Sequence, residues 1–236
     1  MATEGLLPRS VLADQVKERL LDGILAGRYA PDSRIVETQL ARELGTSQAP
    51  VREALRGLAA LGVVEITPFR GARVRRPTRR DLLEAYAVRS VLEGLGARLA
   101  VPHLTDSDLD ELGGHVAEMQ AAARRGDGHR VAEADARFHG RIVELAANAT
   151  LGKVWSSLEP FSRTYITLAV PGADPQWSAD LHVPILDALL RRDAGGVVVA
   201  LERHFAEVSA NMAERLPVDG SETRASIAAQ TGGASL

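Results

Sequence analysis

The 236-residue chain contains no cysteine, which excludes disulfide staples and any metal site built on thiolates. No apolar run approaches the roughly 20 residues that a membrane-crossing helix needs. The first ten residues, MATEGLLPRS, lack the long apolar centre of a signal peptide. Nothing there directs export, so a cytoplasmic location and no membrane partner are expected. There is no internal repeat. The last twenty residues, 217–236, are small and polar and read as a disordered tail.

What is present divides in two. Through Arg80 there are 14 Lys+Arg against 9 Asp+Glu, whereas the rest of the chain has 14 against 22. A basic front and an acidic back suit a nucleic-acid-binding head on a body with another task.

The front is organised around residues 45–61, GTSQAPVREALRGLAAL. Ser47 is a good helix N-cap residue, and Pro50 falls in the first turn, where a missing N–H is tolerated. Val51, Leu55 and Leu58 recur at helical spacing, leaving Gln48, Arg52 and Arg56 off the apolar stripe. A short helix over 36–44 precedes it, with Val36, Leu40, Ala41 and Leu44 on its apolar side and Gly45 at the turn. Two short helices with polar and basic groups opening the second have the layout of a helix-turn-helix. A plain helical hairpin would also give this pair. An earlier helix over 11–25 packs across them, after which 29–34 is a connection. Residues 63–67 and 72–75 alternate as strands around the turn Pro68-Phe69-Arg70-Gly71; directly after the second helix this reads as an arginine-tipped wing, the plain alternative being an ordinary exposed turn with a solvated charge.

From Arg79 the pattern is helical. Helices are expected over 79–100, from Thr105 to about 125, and over 129–147, 151–170, 177–190 and 196–216. Thr105 with Asp108 marks an acidic helix start, and a bend is expected near Pro160. In the first of these helices Leu82, Leu83, Tyr86, Leu92, Leu95 and Leu99 are placed inward. Six helices without a strand make an antiparallel bundle. The fold is therefore mainly α, with domains over 1–77 and 78–216 and the tail beyond. Asp135 and His139, four apart, leave one helix face together. With His182 and His204 they would form a nitrogen and oxygen site for a divalent ion such as zinc or nickel. The plain alternative is an exposed Asp–His pair and unrelated histidines.

Residues 28–74, RYAPDSRIVETQLARELGTSQAPVREALRGLAALGVVEITPFRGARV, resemble the winged-helix domain of the GntR family of bacterial transcription factors, a likeness that covers roughly residues 10–77. The resemblance implies groove-facing positions at Ser47, Gln48, Ala49 and Arg52, with Thr38, Arg70 and Gly71 beside them. Family members usually carry arginine and threonine where this chain has Gln48 and Ala49. Gln48 can pair with adenine, and Arg52 can read guanine or hold phosphate. The series Asp135-x-x-Phe138-His139, Asn148, His182 and His204 resembles the FCD effector domain of the FadR-like subfamily, over about 80–216. The count of six helices suggests its shorter, VanR-like branch. That resemblance implies a metal held by Asp135, His139, His182 and His204, with a small carboxylate effector against it. Arg89, paired in pattern with Glu93, and Asn148 are effector candidates, each with a structural alternative: a buried ion pair and a helix cap. His103, His115 and His129 match nothing and are expected at the surface.

The function implied is a homodimeric repressor on a pseudo-palindromic DNA operator, released by a small organic acid. The competing reading is a metal-dependent enzyme acting on small carboxylic acids, with the head as an accessory. No motif places a separate nucleophile or general base, so no catalytic residue is assigned.

Overall fold

A computed structural model describes residues 9–67, 71–164 and 174–216. The chain divides into two compact units, one through Arg76 and one from Pro77. The expected tail, the Arg70 wing tip and the expected helical stretch over 165–170 lie outside the described residues. No helix among those described is long and apolar enough to cross a membrane.

The N-terminal unit is built from α1 (Arg9–Leu25), α2 (Glu37–Glu43) and α3 (Gln48–Ala60). Val16, Leu20 and Ile24 of α1 are buried, as are Val51, Ala54, Leu55 and Leu58 of α3. The stripe read from the sequence is thus the one that packs. Gly45 joins α2 to α3 at φ +64°, a left-handed conformation that strains any residue with a Cβ. Ser47 occupies the N-cap position of α3, yet its hydroxyl makes no capping bond. The N–H that a serine cap normally takes belongs to the third helical residue, and here that residue is Pro50, which has none. Val36 caps α2 and is exposed rather than inward.

Strands β1 (Arg34–Ile35), β2 (Val64–Thr67) and β3 (Gly71–Val74) form an antiparallel sheet in the order β1-β3-β2. Arg34 pairs with Arg73, and Val64 with Val74. The 29–34 stretch therefore ends in a strand as well as connecting. Two residues are too few to show the period-2 signal that reveals a strand in sequence.

The C-terminal unit runs α4 (Arg79–Ala100), a 3₁₀ turn (Val101–His103), α5 (Asp106–Arg124), α6 (Gly128–Leu145), α7 (Ala149–Thr164), α8 (Pro175–Asp180), α9 (Val183–Leu190) and α10 (Ala194–Arg215). Thr105 and Asp108 form the anticipated capping box, and Thr78 with Asp81 forms another on α4. The single helix expected over 177–190 is interrupted, giving seven α-helices among the described residues. Pro184, in the first turn of α9, lacks an N–H and crowds the preceding turn, so α8 cannot run on into α9. Six remains the count only if α8 and α9 are taken as one broken element. Phe138, Leu112, Met119, Ile185 and Leu201 anchor the core. Leu95 and Leu99 do not join it. They are 43% and 37% exposed, because α4 turns Arg89, Glu93, Gly96 and Ala97 inward instead.

Candidate functional site

Helix α6 buries Val131, Asp135, Phe138, His139 and Ile142 along one stripe, so a carboxylate and an imidazole enter the core among apolar neighbours. His182 lies at the break, as the N-cap residue of α9, and His204 comes from the buried side of α10. All four polar side chains are buried, and one ligand atom from each lies within 4.8 Å of the others. His182 Nε2 is 3.0 Å from Asp135 Oδ1 and 3.1 Å from His139 Nε2.

The partners on the far side of each ring decide what these atoms can do. His182 Nδ1 is 3.0 Å from the Ser178 carbonyl oxygen, which only accepts, so Nδ1 carries the proton. His139 Nδ1 is 2.5 Å from Glu93 Oε2. Burial would raise the Glu93 pKa, but Arg89 and then His139 override it and hold the carboxyl at about 2. An ionised carboxylate again assigns the proton to Nδ1. Both Nε2 atoms are therefore left facing each other and Asp135. Burial, opposed more strongly by His139, His182 and Arg89, leaves Asp135 ionised with a pKa of about 2. Burial pushes His204 well below its ordinary value, and its Nδ1 is buried without a hydrogen-bond partner. An extra proton on His182 would relieve only its contacts with His139 and Asp135. A single cation serves all four residues, and this donor set fits a divalent metal.

Glu93 is the residue that sequence reasoning missed as a support of the centre. Its Oε1 accepts from Arg89 Nε at 2.8 Å and from Trp155 Nε1 at 2.7 Å. Gly140 permits this, since a Cβ there would stand 3.1 Å from the Trp155 ring. Arg89, sandwiched against Tyr86, Trp155 and Phe205, is thus engaged in a buried ion pair with Glu93. The available signal was an Arg-x-x-x-Glu pair set on the arc that α4 buries. Asn148 caps α7 by accepting from the Leu151 N–H, and it lines a shallow groove of about 480 Å³ with Gly140 and Trp155. None of His103, His115 and His129 is among the four gathered residues.

In the N-terminal unit, Thr38, Ser47, Gln48, Arg52 and Gly71 are exposed and Ala49 is half-buried. Arg52 Nε lies 2.6 Å from Glu37 Oε2, and its Nη2 donates to Gln48 Oε1 at 3.0 Å. The α3 N-terminus adds unpaired backbone N–H groups and the positive end of the helix dipole, both suited to phosphate. Arg34, Arg73 and Gly71 line a groove of about 240 Å³ on the sheet.

A winged helix-turn-helix followed by an all-helical body with a buried Asp and His cluster defines a class of DNA-binding regulator. Residues 12–74 match the family described as bacterial regulatory proteins, gntR family, and residues 84–207 match the FCD domain. The chain is 37% identical over 205 residues to the "Probable D-xylose utilization operon transcriptional repressor" of Paenarthrobacter nicotinovorans, covering 87% of this chain and 90% of that one. It is 31% identical to the HTH-type transcriptional regulator McbR of Escherichia coli over 83% of this chain and 90% of that one. The solved structure of E. coli McbR/YncC aligns with a TM-score of 0.74 and 26% identity, covering 86% of this chain and 97% of that one. The chain belongs to the GntR family of bacterial transcriptional regulators and carries an FCD domain. It is a DNA-binding regulator, not an enzyme.

Proposed function

We propose that the chain is a cytoplasmic, homodimeric repressor, with a DNA-reading head over 1–77, an effector-binding body over 78–216 and a tail beyond. Asp135, His139, His182 and His204 hold one divalent ion, zinc or nickel, in the body. The Nε2 atoms of His139 and His182, 3.1 Å apart and both facing Asp135 while each Nδ1 is engaged elsewhere, carry this reading. The ion supplies a fixed positive charge and open coordination for an oxygen ligand.

The residues around it favour an anion. Asp135 and Glu93 are ionised, Arg89 is protonated, and ligand imidazoles are neutral. A divalent ion then leaves this buried group with one positive charge in excess. A small monocarboxylate cancels that charge in surroundings that screen poorly. Arg89, already held by Glu93, acts on the effector through its field and by sharing its guanidinium. Asn148 shapes the adjoining groove.

In the head, Gln48, Ala49 and Arg52 enter the major groove, with Ser47 and Thr38 at the backbone and Arg70 and Gly71 on the wing. Two recognition helices reach successive major grooves about 34–36 Å apart on a pseudo-palindrome. Effector release requires tighter effector binding by the free protein than by the DNA-bound form, and linkage makes the effect reciprocal.

The relative named for a D-xylose operon points to sugars and sugar acids as the first ligands to screen. The test is operator titration of wild type and His182→Ala with such a panel, alongside elemental analysis of untagged protein. About one metal ion per chain, and an acid that releases DNA from wild type only, is the expected result. Equal release from both proteins would overturn the metal-centred reading.

A further inference from the structure

The three-stranded sheet buries one face and exposes the other. Ile35, Val64, Ala72 and Val74 are buried, whereas Arg34, Glu65, Thr67, Gly71 and Arg73 are exposed. Residues directly opposite on neighbouring antiparallel strands share a face. The register Arg34↔Arg73 and Glu65↔Arg73 therefore sets these three in one row across all three strands. The next row on that face holds Thr67 opposite Gly71. Together they line the groove of about 240 Å³.

Two arginines directly opposite each other repel, and such a pair weakens a sheet. Their Cα atoms stand only about 4.5–5.5 Å apart in an antiparallel ladder. Elsewhere in this unit exposed arginines are bridged, Arg52 to Glu37 at 2.6 Å and Arg76 to Asp32 at 2.9 Å. Among the described residues neither Arg34 nor Arg73 makes an ion pair, although Glu65 stands beside Arg73 in the register. A face meant only for water gains nothing from opposing like charges, whereas a face meant for an anion needs them unneutralised. Gly71 shows where one of the two groups lies. A Cβ there would stand 3.7 Å from Arg34 Nε and 3.8 Å from its Nη2. Arg34 thus reaches diagonally from β1 and lays its guanidinium beside the first residue of β3, at the root of the wing.

We infer that Arg34 and Arg73 form a phosphate clamp, by which the outer face of the sheet grips the DNA backbone beside the half-site that α3 reads. Arginine stays charged at any working pH, and its planar fork matches the oxygens of a phosphodiester. The Thr67 hydroxyl adds a neutral donor on the same face. A bound phosphate turns the repulsion between the two arginines into two attractions. The clamp fixes the position of the head on the duplex and reads no base. It rests on the DNA-reading head proposed above and adds two residues that lie neither in α3 nor in the 68–71 turn.

The test is titration of the full-length protein, over a range of salt, with two duplexes: one selected from a random pool by the wild type, and one of random sequence. Arg34→Gln and Arg73→Gln each weaken both duplexes alike, by about 10-fold. Each also lowers the slope of log K against log salt by about one per bound head. Glu65→Gln removes a negative charge from the groove and tightens both. Arg124→Gln, an exposed site in the C-terminal unit with the same change of charge, leaves the slope as it is. The melting temperature of Arg34→Gln holds or rises, because a repulsion is relieved; a fall would make the arginine structural and overturn the clamp. An unchanged slope in the double variant, while Arg52→Ala still weakens the selected duplex, would overturn the clamp and leave the recognition-helix reading intact. Wild-type binding in all three variants would overturn both. If inorganic phosphate raises the melting temperature of the wild type but not of the double variant, and the salt slope is the same in both, the groove belongs to a free phosphate and the DNA clamp is overturned.

Discussion

His139 Nδ1 stands 2.5 Å from Glu93 Oε2, joining α6 to α4 across 46 positions of chain. Glu93 in turn holds Arg89 and Trp155. One carboxylate thus orients a metal-ligand candidate, neutralises a buried guanidinium and ties down an indole.

Glu93→Gln should therefore weaken metal binding about 10- to 100-fold without removing a ligand, because a neutral amide replaces the ionised acceptor that orients His139 and raises its basicity. It should also leave Arg89 without its buried counter-charge, at a cost of about 3–5 kcal/mol. Trp155→Phe removes one donor to the same carboxylate and should give a smaller change in the same direction. Chelator competition and urea melts measure both. An unaltered metal dissociation constant in folded Glu93→Gln would remove Glu93 from any role at the centre.

The metal-free protein should lose stability steadily on acidification. His204 sits below its ordinary value of 6.5, so the unfolded chain takes its proton first and stability falls once pH drops below about 6.5. Glu93 and Asp135, both near 2 instead of 4.5 and 3.8, contribute stability that is full above those ordinary values and lost as pH falls towards 2. All three signs agree. Urea melts in chelator at pH 7, 5.5 and 4 should show a monotonic decline, shallower between pH 7 and 5.5 in His204→Gln. A wild-type curve that is flat or rises on acidification contradicts these assignments.

Arg52 is held by Glu37 at 2.6 Å and by Gln48 at 3.0 Å before any DNA arrives. The Glu37 pair is solvent-exposed and contributes about 0–1 kcal/mol, so it orients Arg52 without locking it. Arg52→Ala should weaken operator binding by about 1–3 kcal/mol and relax preference at one base of each half-site. Glu37→Gln should tighten binding by a few-fold and steepen its salt dependence. If Arg52→Ala weakens all DNA sequences alike, Arg52 holds phosphate and reads no base.

Much of the fold was legible because its signals are local. The apolar stripe of α3, the Gly45 turn and the capping box at Thr105 each depend on residues within one or two helical turns. The Ser47 cap failed for an equally local reason, the missing N–H of Pro50. In the body, the four-residue spacing of Asp135 and His139 put both on one face. Pro184 carried the signal for the break between α8 and α9, and strong apolar periodicity on either side masked it.

Sequence alone determined the helical periods, the turns, the charged halves and the family signature, since each follows from neighbours along the chain. It could not decide which side of α4 faces inward, because apolar residues surround that helix and periodicity relates its faces without ranking them. Only the tertiary structure turned Arg89 and Glu93 to the core and left Val91 and Leu95 outside. It also brought Glu93, His139, His182 and His204 together. Those contacts close loops of tens of residues, and their geometry is set by packing of whole helices that no local pattern encodes.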